Sequence, residues 1–152
     1  MMEFRYTMLT AEQVQLLQEP LLTLGEYHNR TAENREYVYP TQPVSDTLET
    51  IAAGIRSGKM QVRTAWCGEV LAGFCIIGTD SGARVGELKY LYADEAFRGH
   101  GLGGALTDWA METLGKAGME RVDLRVVLGN PAVGFYEKYG FSPRILVMSK
   151  KI

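Results

Sequence analysis

The sequence predicts an α/β domain with a mixed sheet and flanking helices. Three observations predict it. The apolar period changes from helical to strand-like just after Gly58, and it turns helical again at a glycine-rich stretch, Arg98-Gly99-His100-Gly101-Leu102-Gly103-Gly104. Three strand-like segments then follow one another with only short turns between them, as in a meander. The last strand-like segments are instead separated by helical ones, which is the order a mixed sheet needs.

The elements read as follows. Residues 4–9 form a short strand, and Thr10 with Gln13 makes a capping box for a helix carrying Val14, Leu16, Leu17 and Leu21, which Pro20 bends or ends. Residues 26–43 mix His28, Tyr37, Tyr39, Pro40 and Pro43 with charges and show no period, so loop or loose helix is expected. Asp46 with Glu49 caps a second helix that turns Leu48, Ile51, Ala52 and Ile55 inward and stops at Gly58. Residues 60–66 and 70–78 flank Cys67-Gly68-Glu69, a hairpin whose turn Gly68 supplies, and Asp80-Ser81-Gly82 leads into a third strand at 87–93. The helix after the glycines places Leu102, Leu106, Trp109 and Leu114 on one face and ends at Gly118. Residues 121–128 alternate, with Val122, Leu124, Val126 and Leu128 on one side. Asn130-Pro131 opens a helix through Phe135 and Tyr139 to Gly140, and residues 145–149 supply a final strand.

Composition narrows the function. A chain of 152 residues, 46% apolar and 22% charged, is expected to be one domain spanning 1–152 with a single core. Its net charge of -2 offers no general attraction to nucleic acid or an anionic membrane, and no apolar run reaches the ~20 residues of a spanning helix. Cys67 and Cys75 lie in no metal-ligand spacing, so small core residues in a reducing compartment, no metal and a cytoplasmic location are expected.

Four glycines in six positions between a strand and a helix let backbone N–H groups converge on an anion such as a diphosphate, with Arg98 adding a charge-assisted bond. A plain flexible turn rarely needs that many. The rival is a dinucleotide fingerprint, since Gly99-x-Gly101-x-x-Gly104 fits GxGxxG and Asp123 lies about 20 residues on. That fingerprint wants its first glycine directly after the strand, whereas Asp94-Glu95-Ala96-Phe97-Arg98 intervenes. No Lys-Ser or Lys-Thr pair follows the glycines, so a P-loop is excluded.

At these residues the chain resembles the GNAT acetyltransferases, whose signature is Arg or Gln followed by x-x-Gly-x-Gly or Ala; residues 98–103 match it at every specified position. Leu91-Tyr92-Ala93-Asp94-Glu95-Ala96-Phe97 is similar to the family's approach to that loop, with Glu95 where proline is commoner. Asn130-Pro131-Ala132 through Phe135-Tyr136-Glu137-Lys138-Tyr139-Gly140-Phe141 resembles its second characteristic segment. Over the first 60 residues only the order of elements agrees, and the tail leaves room for one strand where relatives often have two.

The resemblance implies a GNAT-type, mostly antiparallel sheet in which a bulged strand splays from its neighbour and holds acyl-CoA. The cosubstrate would be acetyl-CoA, bound by main-chain groups of Leu91, Tyr92 and Ala93, by the loop Arg98, Gly99, His100, Gly101, Leu102, Gly103 and Gly104, and by Asn130 and Tyr136. Tyr136 would give the departing sulfur its proton. Glu87 would handle the proton of the amine acceptor, directly or through water; the plain alternative is a solvated strand residue beside Lys89. Glu26 and His28 are weaker candidates for that base, and Tyr27, Tyr37, Tyr39 and Trp66 for lining the acceptor site. A homodimer built on the C-terminal sheet edge stays open, as does the acceptor's identity. The alternative function is a GNAT-like acyl-CoA sensor that binds without turnover.

Overall fold

Two tight turns fold the middle of the chain into a meander. Gly68, at φ +61°, lets Gly68-Glu69 join β2 (Met60–Cys67) to β3 (Val70–Asp80), with Cys67 opposite Val70. β3 returns as β4 (Val85–Ala93). The computed structural model describes residues 2–80 and 82–152, so Ser81 of the expected 80–82 turn lies outside the described residues. β1 (Arg5–Met8) pairs antiparallel with β2, and β5 (Arg121–Leu124) pairs parallel with β4, giving the order β1-β2-β3-β4-β5. That one parallel pair is also the pair joined through a helix, α3 (Leu102–Lys116), because a parallel neighbour requires a crossover.

Alternation along the strands loads both faces of the sheet. On one face Val62, Phe74, Ile76 and Tyr92 pack with Leu17, Leu21, Leu48 and Ile51, which come from a 3-10 turn (Ala11–Leu17), α1 (Gln18–Thr31) and α2 (Val44–Arg56). On the other, Ala65, Cys75, Ile77 and Leu88 pack with Leu102, Leu106, Ala110 and Leu114 of α3. Close approach of α3 depends on Gly86, where an added Cβ would lie 2.8 Å from Leu114 Cδ2.

The structure departs from the sequence expectations at the chain's two ends. The Thr10–Gln13 box forms, with Thr10 N–H donating to Gln13 Oε1 at 3.0 Å. Pro20 breaks nothing, since it falls in the first turn of α1, where its missing N–H has no helical partner to lose. α1 therefore continues to Thr31, into the stretch expected as loop. Residues 32–43 then fold back on it: the Asn29 amide exchanges two 2.7 Å bonds with the Tyr39 backbone, and Glu33 N–H donates to Leu128 O at 2.8 Å. α2 starts at Val44 behind Pro43, so Asp46 stands inside its first turn and no side chain caps it.

β5 stops at Leu124, four residues short of the expected end at 128. The strand expected at 145–149 does not form either, and Ile145, Leu146, Val147 and Met148 are all more than 70% exposed. These four consecutive apolar residues have no polar alternation to choose a face, and the short β5 offers them little edge. α4 (Ala132–Lys138) has Pro131 at its N-cap rather than Asn130, yet Asn130 Oδ1 still accepts the Ala132 N–H at 2.9 Å.

Candidate active site

A slip of one residue in β4 creates the opening. Ile77 stands opposite Leu88 and Ile76 opposite Tyr90, so Lys89 is an extra, bulged residue. The bulge reverses which side chains face which layer. Leu88, Leu91 and Ala93 all face α3, while Tyr90 and Tyr92 face α1 and α2. β5 pairs only with Val85, Gly86, Glu87 and Leu88, then ends. Beyond that point, among the described residues, 89–93 have no strand partner on the β5 side, and this free edge of β4, past the carboxyl end of β5, is the wedge of the site. Ligands of α/β sheets collect in such positions.

The glycine loop begins directly after the wedge. Asp94 accepts the Ala96 N–H at 2.9 Å and sets a short 3-10 turn, Glu95–Phe97, which hands the chain to Arg98. Gly99 and Gly101 take φ +85° and +77°, and a Cβ on either would meet nothing within 4 Å, so that side of the loop is open. Gly101 is the N-cap of α3, whose first turn leaves the N–H groups of Leu102, Gly103 and Gly104 without helical partners. Gly103 and Gly104 serve packing instead: their Cβ positions lie 3.6 Å from Phe135 Cζ and 3.0 Å from Tyr139 Oη, and that hydroxyl donates to Gly104 O at 3.1 Å. His100 is exposed on the loop, and Arg98 reaches back over the ring of Tyr27 in α1, 5.7 Å from its centroid.

Tyr136 enters from α4 and joins the α3-side cluster that contains Cys75, Leu91 and Ala93. Burial, and secondarily the Cys75 thiol beside it, pushes its phenol up to about 12; burial likewise pushes the Cys75 thiol up to about 12. Both are neutral at pH 7. Tyr92 is also raised, by burial first and then by Asp94, whose carboxylate accepts its hydroxyl at 3.4 Å.

Glu87 lies between Gly86 and Leu88, which face α3, so it projects from the opposite face. There Lys89 Nζ donates to it at 2.8 Å and Arg125 Nη1 stands 3.6 Å away, while burial and the Glu87 charge together raise the Tyr90 phenol. Glu87 and Tyr136 thus flank the wedge from its two sides. The structure brings Tyr136 to Leu91 and Ala93 but does not bring Glu87 to them.

Among the weaker candidates, Glu26 is exposed and Trp66 lies on β2, with β3 between it and β4, its indole N–H donating to Thr64 Oγ1 at 2.9 Å. His28 packs edge-on against Tyr39 at 5.6 Å, and burial lowers its pKa below the ordinary 6.5. Its contribution to stability is therefore complete above the unfolded value and is lost as pH falls through about 6.5 toward the lower folded value. His28→Phe, which keeps a ring against Tyr39 but cannot titrate, should show a shallower fall in melting temperature between pH 7 and pH 5 than the parent. Parallel melting curves across that range would reveal no titration at this position.

The resemblance implied a bulge in this strand without placing it at Lys89, and sequence reasoning missed the Arg125 partner of Glu87 and the Cys75 neighbour of Tyr136. Among the described residues, no helix is long and apolar enough to cross a membrane, and no three His, Cys, Asp or Glu side chains gather as metal ligands would.

This architecture has known counterparts. The chain matches the acetyltransferase (GNAT) family over residues 24–141, which is most of its length. It belongs to that family. A 62-residue stretch is 44% identical to a mycothiol acetyltransferase from Beutenbergia cavernae, covering 40% of this chain and 21% of that protein, so the chain spans about a fifth of this curated relative's length. Among solved structures, the PaiA N-acetyltransferase of Thermoplasma acidophilum, in complex with coenzyme A, aligns at TM-score 0.76 and 20% identity over 93% of this chain and 91% of its own. A predicted acetyltransferase from Clostridium acetobutylicum, with acetyl-CoA, aligns at TM-score 0.76 and 14% identity over 98% and 96%. These two likenesses are of fold. A GNAT sheet in which, among the described residues, only β4 and β5 pair in parallel also removes the dinucleotide reading of Gly99-x-Gly101-x-x-Gly104, which requires a doubly wound parallel sheet.

Proposed function

We propose that this GNAT protein transfers the acetyl group of acetyl-CoA directly to a primary amine. The observation that carries the reading is the wedge: residues 89–93 of β4, joined to β3 on one side and without a strand partner on the β5 side, run past Tyr136 straight into the glycine loop. A diphosphate fits a loop whose N–H groups converge and whose Gly99 and Gly101 leave one side clear. Arg98, Gly99, His100, Gly101, Leu102, Gly103 and Gly104 would hold it. The amide-bearing pantetheine arm suits a free strand edge, offered by Leu91, Tyr92 and Ala93. Asn130 spends its side-chain oxygen on Ala132 and keeps its amide N–H groups for the same arm. That fold neighbours carry coenzyme A and acetyl-CoA supports this assignment.

In the transfer, the amine nitrogen bonds to the acetyl carbon, the carbon–sulfur bond breaks and one amine proton leaves. Free main-chain donors of β4 would receive the carbonyl oxygen as charge builds on it. The sulfur departs on the α3–α4 side, where Tyr136 stands. A phenol held near 12 grips its proton more tightly than a thiol of about 8.5 does. Its best contribution is therefore a hydrogen bond that strengthens as the sulfur gains charge, with full proton transfer coupled to proton loss from the amine.

The acceptor would approach from the opposite side, where Glu87 can take that proton directly or through water. Glu87→Gln should leave acetyl-CoA affinity unchanged and lower kcat/KM by about tenfold or more at neutral pH, with recovery as rising pH deprotonates the amine unaided. A loss equal at every pH would assign the proton to another group. The overall reading is tested by thiol release from acetyl-CoA against a panel of amines, alongside thermal shifts with acetyl-CoA and with NAD. Turnover with at least one amine and stabilisation by acetyl-CoA alone are expected. Stabilisation without thiol release from any amine would make the protein an acyl-CoA sensor.

A further inference from the structure

Arg98 is an exposed residue on a glycine-rich loop, and an arginine in that setting would ordinarily sample many rotamers before meeting a ligand. Here its guanidinium carbon rests 5.7 Å from the centroid of the Tyr27 ring, and that of Arg30 lies 5.7 Å from the same centroid. Tyr27 is half-buried on α1, so the ring is fixed by the helix rather than by the loop. The ion pairs in the structure join other cations to carboxylates; among the described residues neither Arg30 nor Arg98 has an acidic partner. Two like charges therefore share one aromatic ring beside the N-terminus of α3, in a protein whose net charge is -2. An anion held by the loop N–H groups would meet Arg98 on the same loop, and Arg30 at the same ring would add to the positive field there.

We infer that Tyr27 is a positioning residue that presents Arg98, together with a second phosphate-binding cation, Arg30, to the diphosphate of the acyl donor. The inference rests on the placing of acetyl-CoA at the glycine loop proposed above. It moves Tyr27 from the acceptor pocket, where sequence reasoning set it, to the donor site. It also gives α1, a helix far from the loop in sequence, a share in donor binding. Cation–π contact requires the ring face and not the hydroxyl, so phenylalanine should replace the tyrosine without loss.

The test is a mutant cycle over Tyr27, Arg30 and Arg98 on acetyl-CoA affinity measured by calorimetry, well below each variant's melting temperature. Tyr27→Phe should bind as the parent does. Tyr27→Leu should weaken binding roughly three- to tenfold, the cost of ordering one long side chain on binding. Arg30→Gln, an exposed change that gives up only the contact with the Tyr27 ring, should weaken it by a similar factor and flatten its dependence on salt. Tyr27→Leu combined with Arg98→Gln and Arg30→Gln should be no weaker than the two arginine changes together, because the ring acts only through them. A Tyr27→Leu loss that adds in full to the arginine losses, or a silent Tyr27→Leu, overturns the inference while leaving the loop assignment standing. An Arg98→Gln variant with unchanged affinity would also overturn the inference, because the ring would then present nothing that matters, while the main-chain donors of the loop would stand; unchanged affinity in Gly101→Val would overturn the loop assignment, and the inference with it.

Discussion

Gly101→Val is expected to weaken acetyl-CoA binding by about 10²-fold or more and to abolish the thermal shift the ligand produces. The site loses in two ways. A branched side chain on the open side of the loop stands where the diphosphate must approach, and it keeps that group from the N–H donors of the first turn of α3. Two charge-assisted bonds of ~1.5–3 kcal/mol each account for a loss of that size. The substitution also strains the backbone, because Gly101 sits at φ +77°, a region that costs an L-residue ~1–2 kcal/mol. For a chain of this length that strain should lower the melting temperature by roughly 2–8 °C without a ligand. A control just beyond the other end of the same helix separates the two effects. Gly118, past the other end of α3, has φ +87° and open space where a Cβ would be, so Gly118→Val should suffer similar strain. It should keep the full acetyl-CoA shift. Equal loss of the shift in both variants would mean that strain alone explains the result and that the loop is no cradle.

What the sequence made legible is the chemistry that is written locally. The glycine loop needs particular residues at consecutive positions, and Asn130 and Tyr136 stand at fixed offsets within one short helical segment, so pattern alone locates them. The resemblance implied a bulge in this strand, but its position escaped because residues 88–93 turn apolar side chains to both faces, Leu88 and Leu91 toward α3 and Tyr90 and Tyr92 toward α1 and α2, so Lys89 reads as one polar step of ordinary alternation. The extent of α1 escaped because Pro20 reads as a breaker unless the preceding 3-10 turn is known, and that turn is what places Pro20 where it is harmless. The tail at 145–149 looks like a strand from its apolar content, yet a strand is defined by its partner. Arg144 is drawn instead into a 3.0 Å pair with Asp123, and no ladder with β5 follows. The contact of Arg98 with Tyr27 joins residues distant in sequence, and only the packing of α1 across the sheet could bring it into view.

Tyr136→Phe should lower kcat by about a hundredfold while barely altering acetyl-CoA affinity or melting temperature. The ring is the part that packs, against Phe135 at 5.3 Å, Phe141 at 5.8 Å and the α3-side cluster, and the ring stays. The hydroxyl is the part that meets the sulfur. Charge reaches that sulfur only as the carbon–sulfur bond breaks, so the lost interaction belongs to the transition state and should appear in kcat more than in binding. A donor placed to meet developing charge is typically worth about 10²-fold or more. The raised pKa fixes the pH behaviour. With the phenol pushed up to about 12, the hydroxyl keeps its proton across the whole range in which the fold can be assayed, so the ratio of parent to variant rates should be constant from about pH 6 to pH 10. If product release limits the parent, the comparison belongs to single-turnover rates. A ratio that falls toward one as pH rises through about 10 would mean that the phenol ionises there and that its site is wetter than the packing around Cys75 implies. Equal single-turnover rates at neutral pH would reduce Tyr136 to a packing residue and leave the departing sulfur to take its proton from water.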